Sequence, residues 1–170
     1  MKRIFSIIVF SLLITSHAKA QKENNNWLFG IKVGLTWNTT QSFAATGMWG
    51  TANATLSGIP TTIPSSISTS EGCFSISDAS GALLFYSDGM TIWNKNGVPM
   101  LNGKSLTGHA SSTQSGIIVP YPNQPNQYIA FTLGYGNDNN LFYSVVDMTF
   151  DNGLGGVLAN KKKIRLSGYE

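Results

Sequence analysis

The spacing of apolar residues changes character about twenty residues into the chain. Residues 4–14, IFSIIVFSLLI, are almost wholly apolar. Beyond them no stretch sustains the 3.6-residue apolar repeat of an amphipathic helix. Short runs rich in β-branched and aromatic residues recur instead: CFSIS (73–77), ALLFYS (82–87), MTIWN (90–94), SGIIVP (115–120), QYIAFTL (127–133) and NLFYSVVDM (140–148). Between them lie DASG, DG, a Gly- and Ser-rich loop, PNQPN and GYGNDN. Asp, Asn and Gly tolerate the backbone conformations that hairpin turns require, so the pattern predicts an all-β antiparallel meander.

The runs also recur at a distance. Cys73–Ile76 aligns with Ser115–Ile118 at a shift of 42 residues. Leu83–Tyr86 aligns with Tyr128–Phe131, and Met90–Trp93 with Phe142–Val145, at somewhat larger shifts. Several strands repeating every 40 to 50 residues are the mark of propeller blades. The expected architecture is therefore β-propeller-like, with about two blades preceded by an opening strand in the segment 25–38. A β-sandwich, which also reads as short, evenly spaced strands, is the alternative. Propellers close with about four or more blades, so two blades imply the N-terminal part of a longer protein. Residues 39–70 differ from the rest: nearly free of charge and rich in Ser, Thr, Ala and Gly, with Pro60 and Pro64, they read as a surface loop or insertion with a short strand or two.

Residues 1–20 are a secretory leader. Lys2 and Arg3 precede the apolar stretch, and Ala18 and Ala20 supply the small residues of a cleavage site before Gln21. The apolar stretch is too short to span a bilayer comfortably, so no membrane span remains after cleavage. Of the eleven Lys and Arg residues, three leave with the leader, so eight basic residues face eight acidic ones in residues 21–170. The basic balance of the whole chain thus belongs to its leader and gives no reason to expect a nucleic-acid partner. Lys161, Lys162, Lys163 and Arg165 read as a solvated strand edge.

Candidate chemistry is sparse. Cys73, the single cysteine, cannot form an internal disulfide and sits in an apolar-alternating run as a buried thiol. SDGMTIWNKNG (87–97) places Asp88 and Trp93 at the separation found in the Asp-box turn of sialidase propellers, although Gly89 directly follows Asp88, out of register with that motif. The loop LTGHASSTQS sets His109 near Ser111, Ser112 and Ser115, but it holds no acidic residue and no Gly-x-Ser-x-Gly elbow. GYGNDNN (134–140) lacks the spaced ligands and closing glutamate of an EF-hand. Trp27, Trp37, Trp49 and Trp93 could stack on sugars, but aromatic residues at strand positions mainly pack. No catalytic, cofactor or metal pattern stands out; His109, Trp93 and Asp88 are the candidate interaction residues.

NNWLFG (25–30), STSEGCFSISDASGALLFYSDGMTIWNKNGVPM (68–100), LTGHASSTQSGIIVPYP (106–122) and LFYSVVDMTFDNGLGGV (141–157) resemble the N-terminal propeller-like region of large exported Bacteroidetes proteins. In that family such a region precedes immunoglobulin-like or PKD repeats and a gliding-motility-associated domain, the sorting signal of type IX secretion. The resemblance implies an extracellular or cell-surface location and a propeller architecture; with no catalytic pattern in the residues, the expected role is a non-enzymatic scaffold for adhesion or for contacts with a surface protein or glycan. A secreted glycan-binding or glycoside-hydrolase (sialidase-like) propeller is the alternative. The sorting domain is not in these 170 residues, so the resemblance alone does not carry passage through the outer membrane.

Overall fold

A computed structural model describes residues 22–45, 54–134 and 140–166. The leader, with Ala18, Ala20 and Gln21, lies outside them, as do Trp49 and Asp138. The described chain is all-β and antiparallel, arranged in three sheets of which none closes on itself. Among the described residues no helix is long and apolar enough to cross a membrane.

The first sheet is β1 (Asn26–Phe29), β2 (Ile31–Ala45) and β3 (Ala54–Ser68), in that order. Its tight first hairpin turns at Gly30, whose φ of 61° suits a residue without a Cβ. Here the structure departs from the sequence expectation in two ways. Residues 25–38 are a hairpin rather than a single opening strand. Residues 39–70 hold the outer half of β2 and all of β3, not mainly a loop. The physical reason is that Thr, Ile and Phe are good strand formers on a half-exposed sheet, whatever their charge. Pro60 and Pro64 mislead because β3 is the outermost strand of its sheet, where a missing amide donor leaves no further strand unpaired.

The second sheet is the meander β4 (Phe74–Ser77), β5 (Leu83–Ser87) and β6 (Ile92–Asn94). The third is β7 (Gly116–Pro120), β8 (Gln127–Leu133), β9 (Leu141–Asp147) and β10 (Gly156–Val157), with β11 (Ile164–Arg165) pairing farther along the same β9 edge. Each expected run from residue 73 to 148 is a strand. The repeat has its counterpart in the strand order, since β4, β5 and β6 correspond to β7, β8 and β9.

The second sheet is buried on both faces, and its sequence explains how. Successive strand residues point to opposite sides, so Phe85 enters a core against the third sheet while Tyr86 enters one against the first. Ile92 and Trp93 divide in the same way on β6. On β5 a register shift lies opposite Ile76 and Ser77: Phe85 pairs with Ile76, and Leu83 with Ser77. Two β5 residues therefore advance against one on β4, as in a bulge. That offset lets Leu83 pack towards the first sheet and Leu84 towards the third.

The larger core joins Ile76, Phe85, Ile92, Met100, Leu106, Ala130, Val146 and Val157. Phe74 also packs on Gly116, where a Cβ would approach its ring to 2.6 Å. The smaller core joins Leu28, Ile67 and Tyr86. At the far edge of the third sheet the basic run stays at the surface, where Lys162 donates to the Lys104 carbonyl (2.7 Å), Arg165 to Asn140 Oδ1 (2.8 Å), and the Lys161 ammonium lies 5.3 Å from the Tyr121 ring centre.

Phe85 is wholly buried, so Phe85→Ala is expected to destabilise the protein by about 3–5 kcal/mol. Ile31→Ala, at a side chain 74 % exposed, is expected to change stability by no more than about 0.5 kcal/mol. Urea denaturation of the two variants measures both; similar costs would place the core elsewhere.

Candidate functional site

The stretch 87–97 is two turns flanking a short strand. Asp88 Oδ1 accepts hydrogen bonds from the Met90 and Thr91 amides, both at 2.8 Å, and Ser87 Oγ accepts from the Gly89 amide at 2.9 Å. Gly89 has φ +87°, which the bend requires. After β6, Asn94 Oδ1 accepts from the Asn96 and Val98 amides, and Gly97 (φ +77°) completes the exit turn. Asp88 and Asn94 are both buried, and their side-chain oxygens are taken up by the backbone amides of their own turns.

The segment carrying His109 docks onto the first of these turns. The Gly108 amide donates to the Gly89 carbonyl at 2.9 Å, and the Leu106 amide to the Met90 carbonyl at 2.9 Å. The two glycines meet so closely that a Cβ on Gly108 would overlap the Gly89 backbone. Asp88 and the His109 loop are thus neighbours through their backbones. His109 Nδ1 accepts from the Ser111 amide (3.1 Å), and its carbonyl from the Ser112 amide (3.0 Å). The Ser112 and Ser115 hydroxyls are buried with no hydrogen-bond partner among the described residues, so neither is hydrogen-bonded to His109. A serine nucleophile needs such a contact with its base. Trp93 lies apart, stacked on Tyr86 with ring centres 5.7 Å apart and planes 20° from parallel. The three candidate residues therefore do not converge on one site.

A groove the sequence did not reveal runs along the first strands of the three sheets, from β1 past β4 to β7. It consists of two depressions, of about 290 and 430 Å³, that share Asn24 and Ser75. Trp27, Phe29, Cys73 and Phe74 line the first; Glu23, Ile118 and Pro120 line the second. Trp27 is 53 % exposed, unusual for tryptophan, and its ring sits 4.9 Å from that of Trp37, tilted by 59°. The hairpin causes this contact: Trp27 pairs with Leu35, which leaves Trp37 diagonal to it. Side-chain hydrogen bonds join β1 to β4 beside the groove. Asn26, itself buried, donates through Nδ2 to Ser77 Oγ and to the Gly81 carbonyl, each at 2.8 Å, and Ser75 Oγ donates to the Asn26 carbonyl at 2.7 Å.

Cys73 is half-buried beside this groove rather than fully buried. Burial pushes its thiol upward, with a smaller push from the Asp88 charge and an opposing backbone hydrogen bond from Gly30. The thiol stays protonated at neutral pH, which makes it a poor nucleophile. Among the described residues no three His, Cys, Asp or Glu side chains come together to hold a metal ion. Set against known protein families, curated proteins and solved structures, the chain matches no family model and is similar to no curated protein or solved structure.

Asp88→Ala leaves two turn amides without their acceptor and is expected to cost roughly 1–3 kcal/mol, whereas Asp88→Asn keeps an acceptor oxygen and costs less. Equal urea midpoints for Asp88→Ala and the parent protein would show that this carboxylate does not hold the turn. A second expectation concerns acid. The Ser80 hydroxyl and neighbouring amides hold Asp78 below the usual carboxylate value, and the Thr149 hydroxyl leads a similar effect on Asp147. A carboxylate whose folded pKa is depressed stabilises the protein above its unfolded pKa of about 3.9, and that contribution is lost as pH falls through the lower folded value. Urea midpoints measured from neutral pH down into that range should fall less steeply for Asp78→Asn/Asp147→Asn than for the parent.

Proposed function

We propose that this chain is a non-enzymatic exported module, a run of propeller blades serving as a rigid scaffold at the cell surface or outside the cell. The observation that carries the propeller part of this reading is the placement of three strands: β4 lies beside both β1 and β7, and each is the first strand of its own sheet. Successive meanders that bring their first strands side by side are what a radial array of blades produces. Two further features support the reading: the middle sheet is buried on both faces, as a blade between two others would be, and the repeat aligns β4–β6 with β7–β9.

Export rests on the leader pattern ahead of Gln21 and on the resemblance to exported Bacteroidetes proteins. The non-enzymatic reading draws on what the candidate residues do: Asp88 and His109 accept turn amides, and Trp93 stacks on Tyr86. The partner class is a surface protein or a glycan, with no role for nucleic acid given the balanced charge of residues 21–170. A glycan-binding propeller is the second reading, favoured by the exposed Trp27 beside Trp37.

Expression of the full chain with a C-terminal tag in a Gram-negative host tests the proposal. The tagged protein should be recovered outside the cytoplasm with Gln21 as its first residue, as read by intact-mass spectrometry. Recovery in the cytoplasm with residues 1–20 intact would overturn export. Turnover of a fluorogenic sialoside, abolished by His109→Ala, would overturn the non-enzymatic reading.

A further inference from the structure

We infer that the groove along β1, β4 and β7 is a binding site for a neutral oligosaccharide, with Trp27 as its stacking platform. Pyranose rings present flat C–H faces that pack on aromatic rings, while their hydroxyls pair with amides, carboxylates and hydroxyls. The groove supplies both kinds of group. Trp27 is half-exposed and steadied by its tilted contact with Trp37, so it needs little ordering on binding. Within the described residues the Asn24 amide and the Glu23 carboxylate make no hydrogen bond. Ser75 Oγ spends its proton on the Asn26 carbonyl and keeps its lone pairs as acceptors. The depressions that share Asn24 and Ser75 have volumes near or within the range of small-molecule sites.

Charge and backbone pairing select among occupants. Among the described residues Glu23 is the one charged side chain lining the groove, which disfavours uronate or sulfated polymers and leaves hydroxyl-rich neutral ones. An added peptide strand needs free backbone edges. Here the two edges are already stapled across the gap, since the Asn26 carbonyl accepts from Ser75 Oγ and the Glu23 carbonyl accepts from the Ser77 amide at 2.8 Å. This inference deepens the scaffold reading by naming a ligand class. Its test uses purified protein in solution, so it can fail while export stands, or hold if export fails.

The experiment is titration of the full chain with cellohexaose, xylohexaose and mannohexaose, followed by tryptophan fluorescence and calorimetry, with hexagalacturonate as the anionic comparison. At least one neutral hexasaccharide should bind and shift the fluorescence, and hexagalacturonate should bind at least about tenfold more weakly. Trp27→Ala should weaken binding about tenfold or more, Trp27→Tyr by less, and Asn24→Ala by several fold. Leu56→Ala, an exposed apolar site on β3, should leave affinity unchanged. No binding of any neutral hexasaccharide at about 10 mM, the weak limit of a useful site, overturns the inference. Binding unaffected by both Trp27→Ala and Asn24→Ala, or stronger binding of hexagalacturonate, also overturns it. Sedimentation velocity covers the remaining occupant: self-association of the parent that Trp27→Ala abolishes would make the groove a contact between copies. Should Trp27→Ala fail to fold, Asn24→Ala and Trp27→Tyr carry the same decision.

Discussion

The buried amide of Asn26 holds together parts of the molecule that backbone pairing cannot. The first two sheets share no ladder, so their junction has to be built from side chains and isolated backbone contacts. Asn26 reaches from β1 to Ser77 on β4 and to the Gly81 carbonyl in the turn after it, and its own carbonyl receives the Ser75 hydroxyl. Asn38 joins the same carbonyl from β2, at 2.6 Å. The arrangement works because a buried amide left unpaired is costly, so the sheets have few alternative ways to meet. Replacing such a contact with apolar packing would remove the directional information that sets where β1 stands beside β4. The groove, the Trp27 ring and the position of Cys73 all inherit their geometry from this seam.

A second seam, between the second and third sheets, is built on opposite principles. It is largely apolar, centred on Phe85, Ile92, Val146 and Val157, and tolerates no side chain at Gly116 because Phe74 lies there. Apolar area supplies most of the driving force for association, while polar contacts supply orientation. The middle sheet therefore meets one neighbour chiefly through hydrogen-bonded geometry and a small core, and the other chiefly through burial. The bulge beside Leu83 and Leu84 reconciles the two demands by giving each face of a five-residue strand its own large side chains.

The strands from β4 to β9 were legible because each is short, apolar and bounded by a turn residue with a local chemical task. Asp78, Asp88 and Asn94 each cap the turn beside their own strand, and such local signals survive in a linear sequence. The long arm of β2 and β3 was not legible. Its strands gain definition from pairing across a gap of many residues, and its prolines mean "loop" until β3 is known to be outermost. The groove was equally invisible, since Glu23, Asn24 and Ser75 are brought together by contacts between sheets, and no spacing records that. Asp88, His109 and Trp93 drew attention as reactive or aromatic types. Folding placed two of them in neighbouring turns and the third in packing on another face.

The same prolines of β3 also shape how the protein behaves in a crowd. A free outer strand of fifteen residues with no charged side chain is a template on which other chains can polymerise. Pro60 and Pro64 cut its row of amide donors into short lengths, with three residues between them, and Gly58 bends the strand at φ +74° just before. No incoming strand can find a long unbroken partner there. A chain whose residues 21–170 carry no net charge has little electrostatic repulsion to keep its copies apart, so the interrupted edge of β3 guards it where charge does not.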